Sequence, residues 1–353
     1  VKAKYGYDPG SYDKLDDFPN KNWKLMARLD WNINKSHKLS LRFNTVKSEN
    51  DASISSTSSV ITKANSNRYG VDAFAFGNSN YGFRNIVTSH SRQFKSNISS
   101  SAQNKLLVTY TRSRDFRTAK GDAFPMVDIY KDGKQYMTLG TELFTPFNDV
   151  ENNVFSVTDN VTINKGNHLI TAGATFERQY FMNSYLRAPY GYYRYASMDD
   201  FMTGEKPMLY GITYGYNGKD APGAELTFGM LGAYAQDEYS ITPNLKLTYG
   251  LRFDLPLWNA AIKEQSFNGT NVDVSEWPKS KLLISPRLGF NWDIKGDRSI
   301  VLTGGTGLFT GLLPFVWFTN QPTNAGQMQN MREFETSELP ANFGCNPNYK
   351  EAL

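Results

Sequence analysis

The chain reads as pairs of long alternating strands joined by very short turns, with long segments between the pairs, and few folds accept that rhythm. Leu245, Leu247, Tyr249, Leu251 and Phe253 fall on one face of the clearest strand, with Lys246, Thr248, Arg252 and Asp254 on the other. Upstream, Tyr234–Ser240 ends in the turn Ile241-Thr242-Pro243-Asn244. Ile284–Ile294 turns at Lys295-Gly296-Asp297-Arg298 and returns over Ser299–Thr310. Such alternation requires an apolar medium on one side and water on the other. Short turns at one end and long loops at the other make the two ends chemically unequal, the pattern of an antiparallel, all-β transmembrane barrel.

The rhythm recurs along the chain. Trp23–Ile33 sets Trp23, Leu25, Ala27, Leu29, Trp31 and Ile33 against Lys24, Arg28, Asp30 and Asn32, then turns at Asn34-Lys35-Ser36-His37 into Leu39, Leu41 and Phe43. After a Ser/Asn-rich loop from Ser48 to Ser91, Arg92–Ser100 and Lys105–Phe116 form the next pair. Val154–Ile163 turns at Asn164-Lys165-Gly166-Asn167 into His168–Tyr180, and Phe181–Thr227 and Leu255–Leu283 read as long loops. The sum is ten strands in five pairs. Their length is close to the about 9–11 residues of a tilted membrane strand and exceeds the about 5–6 of an average strand. Trp23 and Trp31 would stand roughly 20 Å apart along the membrane normal, close to the spacing of two aromatic girdles. Trp292 near a short turn and Trp258 on the long-loop side fit the same scheme. Asp159 is the exception, since it falls among Phe155, Val157, Val161 and Ile163 on the lipid face. A bulge or register change is the expected remedy there.

Composition narrows the classes. The 353 residues suffice for two soluble domains or for part of a large barrel. No apolar run approaches the length of a membrane helix, which removes helical membrane proteins but not barrels, whose strands spend every second residue on lipid. A soluble sandwich or propeller also alternates and is the competing reading of the pattern alone. The net charge of +4 is dispersed, and no basic cluster carries interleaved aromatics, so no nucleic-acid partner is expected. The 21 Tyr and 23 Phe are a heavy aromatic load for so polar a chain, of the kind used in girdles and in sugar- or peptide-binding loops. Cys345 is the single cysteine and allows no internal disulfide. No signal peptide precedes Val1, so a mature protein or a fragment is expected.

One hairpin carries a resemblance. Tyr234-Ala235-Gln236-Asp237, the turn Thr242-Pro243-Asn244, and the return Leu245, Leu247, Gly250, Leu251, Arg252 resemble a recurrent hairpin of TonB-dependent outer-membrane transporters. Ser285-Pro286-Arg287-Leu288-Gly289-Phe290 and Gly304-Gly305-Thr306-Gly307-Leu308-Phe309 resemble the next one. Gly166-Asn167-His168 followed by Gly173 is similar to an earlier family hairpin, and Pro314-Phe315-Val316-Trp317 resembles the Oar-like branch. The resemblance covers roughly the second half of the chain. It implies a Gram-negative outer-membrane location, membrane lipid as surroundings, and a larger barrel of about 22 strands around a plugged lumen. It further implies a plug domain, TonB with its inner-membrane motor, and a surface lipoprotein as partners. No plug, energy-coupling box or terminal aromatic strand is visible in the sequence. With short turns toward the periplasm, Val1 and Leu353 both lie at the long-loop end, so residues 1–353 are expected to be a central slice of a barrel domain.

No catalytic, cofactor-binding or metal-ligating constellation is expected. His37, His90 and His168 are far apart and share no ligand spacing, and nucleophile-elbow, phosphate-loop and EF-hand patterns are missing. Gly304-Gly305-Thr306-Gly307 lies inside a strand pattern, where small residues permit close packing or bending. The segment with ligand-binding character holds Tyr185, Tyr190, Tyr192, Tyr193, Arg194, Tyr195, Tyr210, Tyr214 and Tyr216, spaced by glycines. Tyr offers a flat apolar face and a hydroxyl at low entropic cost, suited to peptides or glycans. The competing role is girdle extension and loop-to-loop packing. Arg28, Arg42, Arg252 and Arg287 fall on the lumen face, either lining a route or bonding a plug and one another. The expected function is uptake of a large or scarce ligand, a peptide or glycan rather than free metal, by a non-enzymatic transporter. The alternative is an adhesion or surface-assembly protein that keeps the barrel without transport.

Overall fold

The protein is described by a computed structural model covering residues 1–13, 17–56, 67–216, 220–259, 265–267, 270–272, 279–311, 314–324, 326 and 328–351. In chain order the strands are β1 (Asn20–Asn32), β2 (His37–Ala52), β3 (Phe74–Ala75), β4 (Tyr81–Asn97), β5 (Ala102–Ala119) and β6 (Met126–Lys131). They continue with β7 (Lys134–Leu139), β8 (Asp149–Lys165), β9 (His168–Ser184), β10 (Tyr192–Tyr195), β11 (Leu209–Gly215) and β12 (Gly223–Thr242). The last are β13 (Leu245–Asn259), β14 (Gln265–Phe267), β15 (Thr270–Val272), β16 (Leu283–Asp293), β17 (Val301–Gly307) and β18 (Gln329–Glu335). Three short helices accompany them: α1 (Lys2–Tyr5), α2 (Met198–Thr203) and α3 (Phe315–Asn324).

Ten strands make one antiparallel sheet in the order β1-β2-β4-β5-β8-β9-β12-β13-β16-β17, every neighbour following its predecessor along the barrel. These are the five hairpins read from the alternation. The turns explain themselves chemically. Asn34 Oδ1 accepts the amides of Ser36 and His37, both at 2.8 Å, closing β1–β2. Between β8 and β9, Gly166 takes φ 63° at the first central position, which a two-residue II′ turn reserves for glycine. Thr242 Oγ1 accepts the amides of Asn244 and Leu245, at 3.2 and 3.0 Å, closing β12–β13.

The register keeps the two faces apart. Tyr239, Ala235 and Leu231 of β12 oppose Leu247, Leu251 and Leu255 of β13, and Trp23, Leu29 and Trp31 stand 55%, 62% and 58% exposed on the same outward face. The inward face is polar: Thr109 and Ser156 share a hydroxyl contact, Ser89 meets Thr111, and Arg252 forks onto Asp254 while reaching Thr175. Arg28 pairs with Asp30 at 2.8 Å, so Arg28 and Arg252 bond neighbouring carboxylates, while Arg287 lies over the Phe309 ring. Gly304 is small for packing, since a Cβ there would meet the Phe290 ring at 2.7 Å.

Several expectations need correction. The strands are longer than the alternation marked: β5 has 18 residues and β12 has 20. Above the apolar band they continue as charged pairs on the outward face, such as Arg112–Glu151 and Arg114–Asp149, and a strand bathed in water on both sides loses its amphipathic signature. The return strand expected over Ser299–Thr310 is trimmed to Val301–Gly307. Asp159 needs no bulge. The β8–β9 ladder is regular through Asp159↔Ala174, and the carboxylate instead accepts a 2.7 Å hydrogen bond from Asn104 Nδ2 on β5.

The long segments are also not loops. Ser48–Ser91 contains the end of β2, β3 and the start of β4, while Phe181–Thr227 holds β10, α2 and β11. Four of them build a second sheet, β18-β11-β10-β6-β7-β3, at one end of the barrel sheet, while Leu255–Leu283 supplies the separate pair β14-β15. We call the second sheet the cap. β6 and β7 meet through Asp132 (φ 52°) and Gly133 (φ 75°), the Asp-Gly pair of a tight hairpin. Tyr7, Phe124, Val127, Ile129, Leu139, Tyr193, Tyr195, Phe201, Tyr210 and Ile212 form its core. α1 lies against this core through Tyr5, whose ring stacks on Phe201 at 5.2 Å, so the beginning of the chain sits at the long-loop end as expected. Leu353 and much of 260–278 lie outside the described residues.

Sidedness is directly testable. A short epitope inserted at Gly133, in the cap, should be labelled by antibody on intact cells, whereas one at Gly296, in the β16–β17 turn, should be labelled only after permeabilisation. The reverse pattern would overturn the orientation with short turns toward the periplasm.

Candidate functional site

β10 explains where the tyrosine-rich segment goes. It is an inner strand of the cap, parallel to β6 and antiparallel to β11, so both its edges are paired, and a core cluster covers each face. Tyr192 points to one core cluster with Met126 and Leu143, and Tyr193 and Tyr195 point to the other. Tyr192, Tyr193 and Tyr195 are fully buried and Tyr210 is 2% exposed. Burial pushes the phenols of Tyr193, Tyr195 and Tyr210 well up from their ordinary range, keeping them neutral. These four therefore serve as framework. Tyr185, Tyr190, Arg194, Tyr214 and Tyr216 remain partly exposed. Tyr185 stacks on Phe144 at 6.3 Å, Tyr190 packs on Tyr349 at 4.7 Å, and Tyr214 meets Tyr216 edge-on at 6.3 Å.

Beneath β10 lies a charged knot. Arg68 and Asp128, both with fully buried side chains, pair at 2.7 Å. Asp128 also accepts Tyr192 Oη at 2.8 Å, Thr138 Oγ1 at 2.7 Å and Gln135 Nε2 at 3.0 Å. Burial raises the pKa of Asp128, but Arg68 and these donors outweigh it and hold the carboxyl below the usual range. Arg194 Nε donates to Tyr192 Oη at 3.2 Å while its guanidinium lies over Tyr130 at 5.3 Å. The knot fixes the orientation of the aromatic face above it.

A second element crosses the barrel mouth. α3 packs on inward-facing residues at the cap end of the sheet, Phe315 against Phe181 and Phe228, at 5.9 and 5.6 Å, and Phe318 against Trp258 at 5.2 Å. Asn183 Nδ2 donates to Asn320 Oδ1 at 3.1 Å. Trp317 is left 64% exposed. Sequence reading noted Pro314-Phe315-Val316-Trp317 as a family stretch but not that it forms a helix inside the mouth. It also missed Arg332, Phe343 and Asn346, which close the outer face of the cap. The strand β18, QNMREFE, sets Met331 with Glu333 and Phe334 with Arg332, so it shows no apolar alternation to mark it.

Histidines play no joint part. His37 contacts Ser96 at 3.0 Å, and His168 contacts Asp237 at 2.7 Å while stacking on Tyr239 at 4.4 Å. Among the described residues no group of His, Cys, Asp and Glu is arranged to hold a metal ion.

A hairpin sheet with an apolar outward band, a polar inward face and long segments gathered at one end defines the sheet of an outer-membrane β-barrel. The chain belongs to the outer membrane beta barrel domain family, whose model matches residues 5–348, and this places it in the outer membrane of a Gram-negative cell. Its fold is similar to that of the outer-membrane transporter YddB from Escherichia coli, with a TM-score of 0.51 and 14% identity over 82% of this chain and 31% of that one. Weaker likenesses include the closed form of the ferric-catecholate import receptor Fiu from E. coli (TM-score 0.46, 13% identity, 80% of this chain and 42% of that one). The siderophore receptor PirA from Acinetobacter baumannii is similar at TM-score 0.42 and 14% identity, over 82% of this chain and 33% of that one. The chain thus spans less than half the length of each. No curated protein matches it in sequence.

Proposed function

We propose that this chain is the mid-barrel and cap of a TonB-dependent transporter that takes up a peptide or glycan rather than free metal. The observation that carries the reading is a polar-walled sheet whose open end is closed by a folded aromatic cap rather than by loose loops. Tyr185, Tyr190, Tyr214, Tyr216 and Arg194 supply stacking faces and one cation for a ligand arriving at the cap, on the framework of Tyr192, Tyr193, Tyr195 and Tyr210. The lumen-facing Arg252–Asp254–Thr175 cluster supports a hydrophilic route below them. A plug domain gates that route, TonB and its inner-membrane motor drive it, and a surface lipoprotein assists capture.

Cells producing the full-length protein should accumulate fluorescent peptides or oligosaccharides from a defined library. Accumulation should disappear on deletion of the gene and on collapse of the proton gradient. Surface binding that survives the protonophore, with no internal signal, would instead favour the adhesion reading.

A further inference from the structure

We infer that the cap carries a binding cavity for short peptides with a free C-terminal carboxylate, lying between β11, β18 and the segment from Glu338 to Asn346. The inference deepens the uptake reading by naming one ligand class and one place, and rests on it. The cavity encloses about 640 Å³, within the roughly 300–1,000 Å³ of small-molecule sites. Register puts Tyr210 opposite Phe334, and Ile212 opposite Arg332, so one face of the β11–β18 pair presents two aromatic rings and a guanidinium. Phe343 closes the far side, its ring edge-on to Tyr210 at 4.8 Å. Those rings pack on one another and form an apolar wall of the cavity.

The polar groups around the cavity carry both signs. Arg332 is exposed, lies over Phe334 at 4.7 Å, and makes no ion pair with any described residue. Glu338 and Glu351 also line the cavity. Glu338 accepts the Glu335 amide at 2.8 Å, which anchors it in place, and neither carboxylate reaches Arg332. A cation and two carboxylates held around one cavity without neutralising each other complement a zwitterion. Its carboxylate would fork onto Arg332 and its ammonium would face Glu351, while an apolar side chain lies against Phe334 and Phe343. A neutral glycan uses neither charge, so the constellation favours a peptide. The Arg332 guanidinium is held flat by Phe334, so less side-chain freedom is lost on binding.

The test uses purified full-length protein in lipid nanodiscs and calorimetric titration with the tripeptide Ala-Leu-Phe, its C-terminal amide, its N-acetyl form, and maltotriose. The free tripeptide should bind, and amidation should weaken it by at least about tenfold, the scale of one charge-assisted hydrogen bond. Arg332→Gln should bind the free and amidated peptides alike, Arg332→Lys should restore part of the preference, and Glu351→Gln should erase the penalty of N-acetylation. These residues are exposed, so unchanged thermal unfolding should accompany the loss. Peptide binding that Arg332→Gln leaves intact would remove this cavity while leaving peptide uptake standing. Equal binding of free and amidated peptide by the wild type, or binding of maltotriose alone, would also overturn the inference. Absence of all peptide binding would overturn it together with the peptide form of the uptake reading.

Discussion

Asp128→Ala should destabilise the cap by about 3–5 kcal/mol, the usual cost of stranding one member of a buried ion pair. The carboxylate is completely enclosed and ties together Arg68, Thr138, Gln135 and Tyr192, four groups from β7, β10 and the 67–68 stretch. Removing it leaves the buried Arg68 guanidinium without the carboxylate it forks onto, and leaves Tyr192 Oη without its acceptor. Hydrogen exchange by mass spectrometry should show β6, β7 and β10 losing protection, while the β12–β13 hairpin exchanges as in the wild type. Arg68→Met combined with Asp128→Leu should recover most of the loss, since no buried charge is then left unpaired. Wild-type exchange in Asp128→Ala would show that the knot contributes nothing. The pH dependence has a definite sign. The folded pKa of Asp128 lies below its unfolded value of about 3.9, so its contribution is complete above that value and is lost as pH falls through the folded pKa. The cap should therefore open before the barrel sheet on acidification.

The sequence made the barrel hairpins legible because two solvents enforce alternation there. Leu247 or Trp31 on the wrong face would meet water, so the pattern cannot drift. The same logic explains what was not legible. Beyond the lipid band, Arg114 faces Asp149 across water, and nothing in the composition separates such a strand from a polar loop. The cap was hidden for another reason. Its central strand β10 is covered on both sides, so Tyr192, Tyr193, Arg194 and Tyr195 show no alternation, and its partner β6 lies over sixty residues earlier in the chain. Their aromatic density signalled that the segment mattered. It did not distinguish a ligand surface from a core, and the structure assigns four of those tyrosines to the core. Asp159 shows the converse, a polar residue that fits its face because Asn104 on the adjoining strand satisfies it.

The central claim is that one face of this sheet lies against lipid and the other against a water-filled lumen, and adjacent residues of β13 test it. Leu247 lies on the outward face opposite Tyr239 and Phe290, and Thr248 on the inward face opposite Glu238 and Gly289. Arginine on the lipid face near the midplane costs about 2–4 kcal/mol, falling toward the interfaces, while lumen positions tolerate charge. The decisive measurement is the equilibrium refolding stability of full-length Leu247→Arg and Thr248→Arg in lipid vesicles. Leu247 stands two residues from the start of β13, toward the short-turn interface, so the account predicts a loss of up to about 1 kcal/mol for Leu247→Arg and little change for Thr248→Arg. Equal tolerance of both, or a larger loss at Thr248, would contradict it.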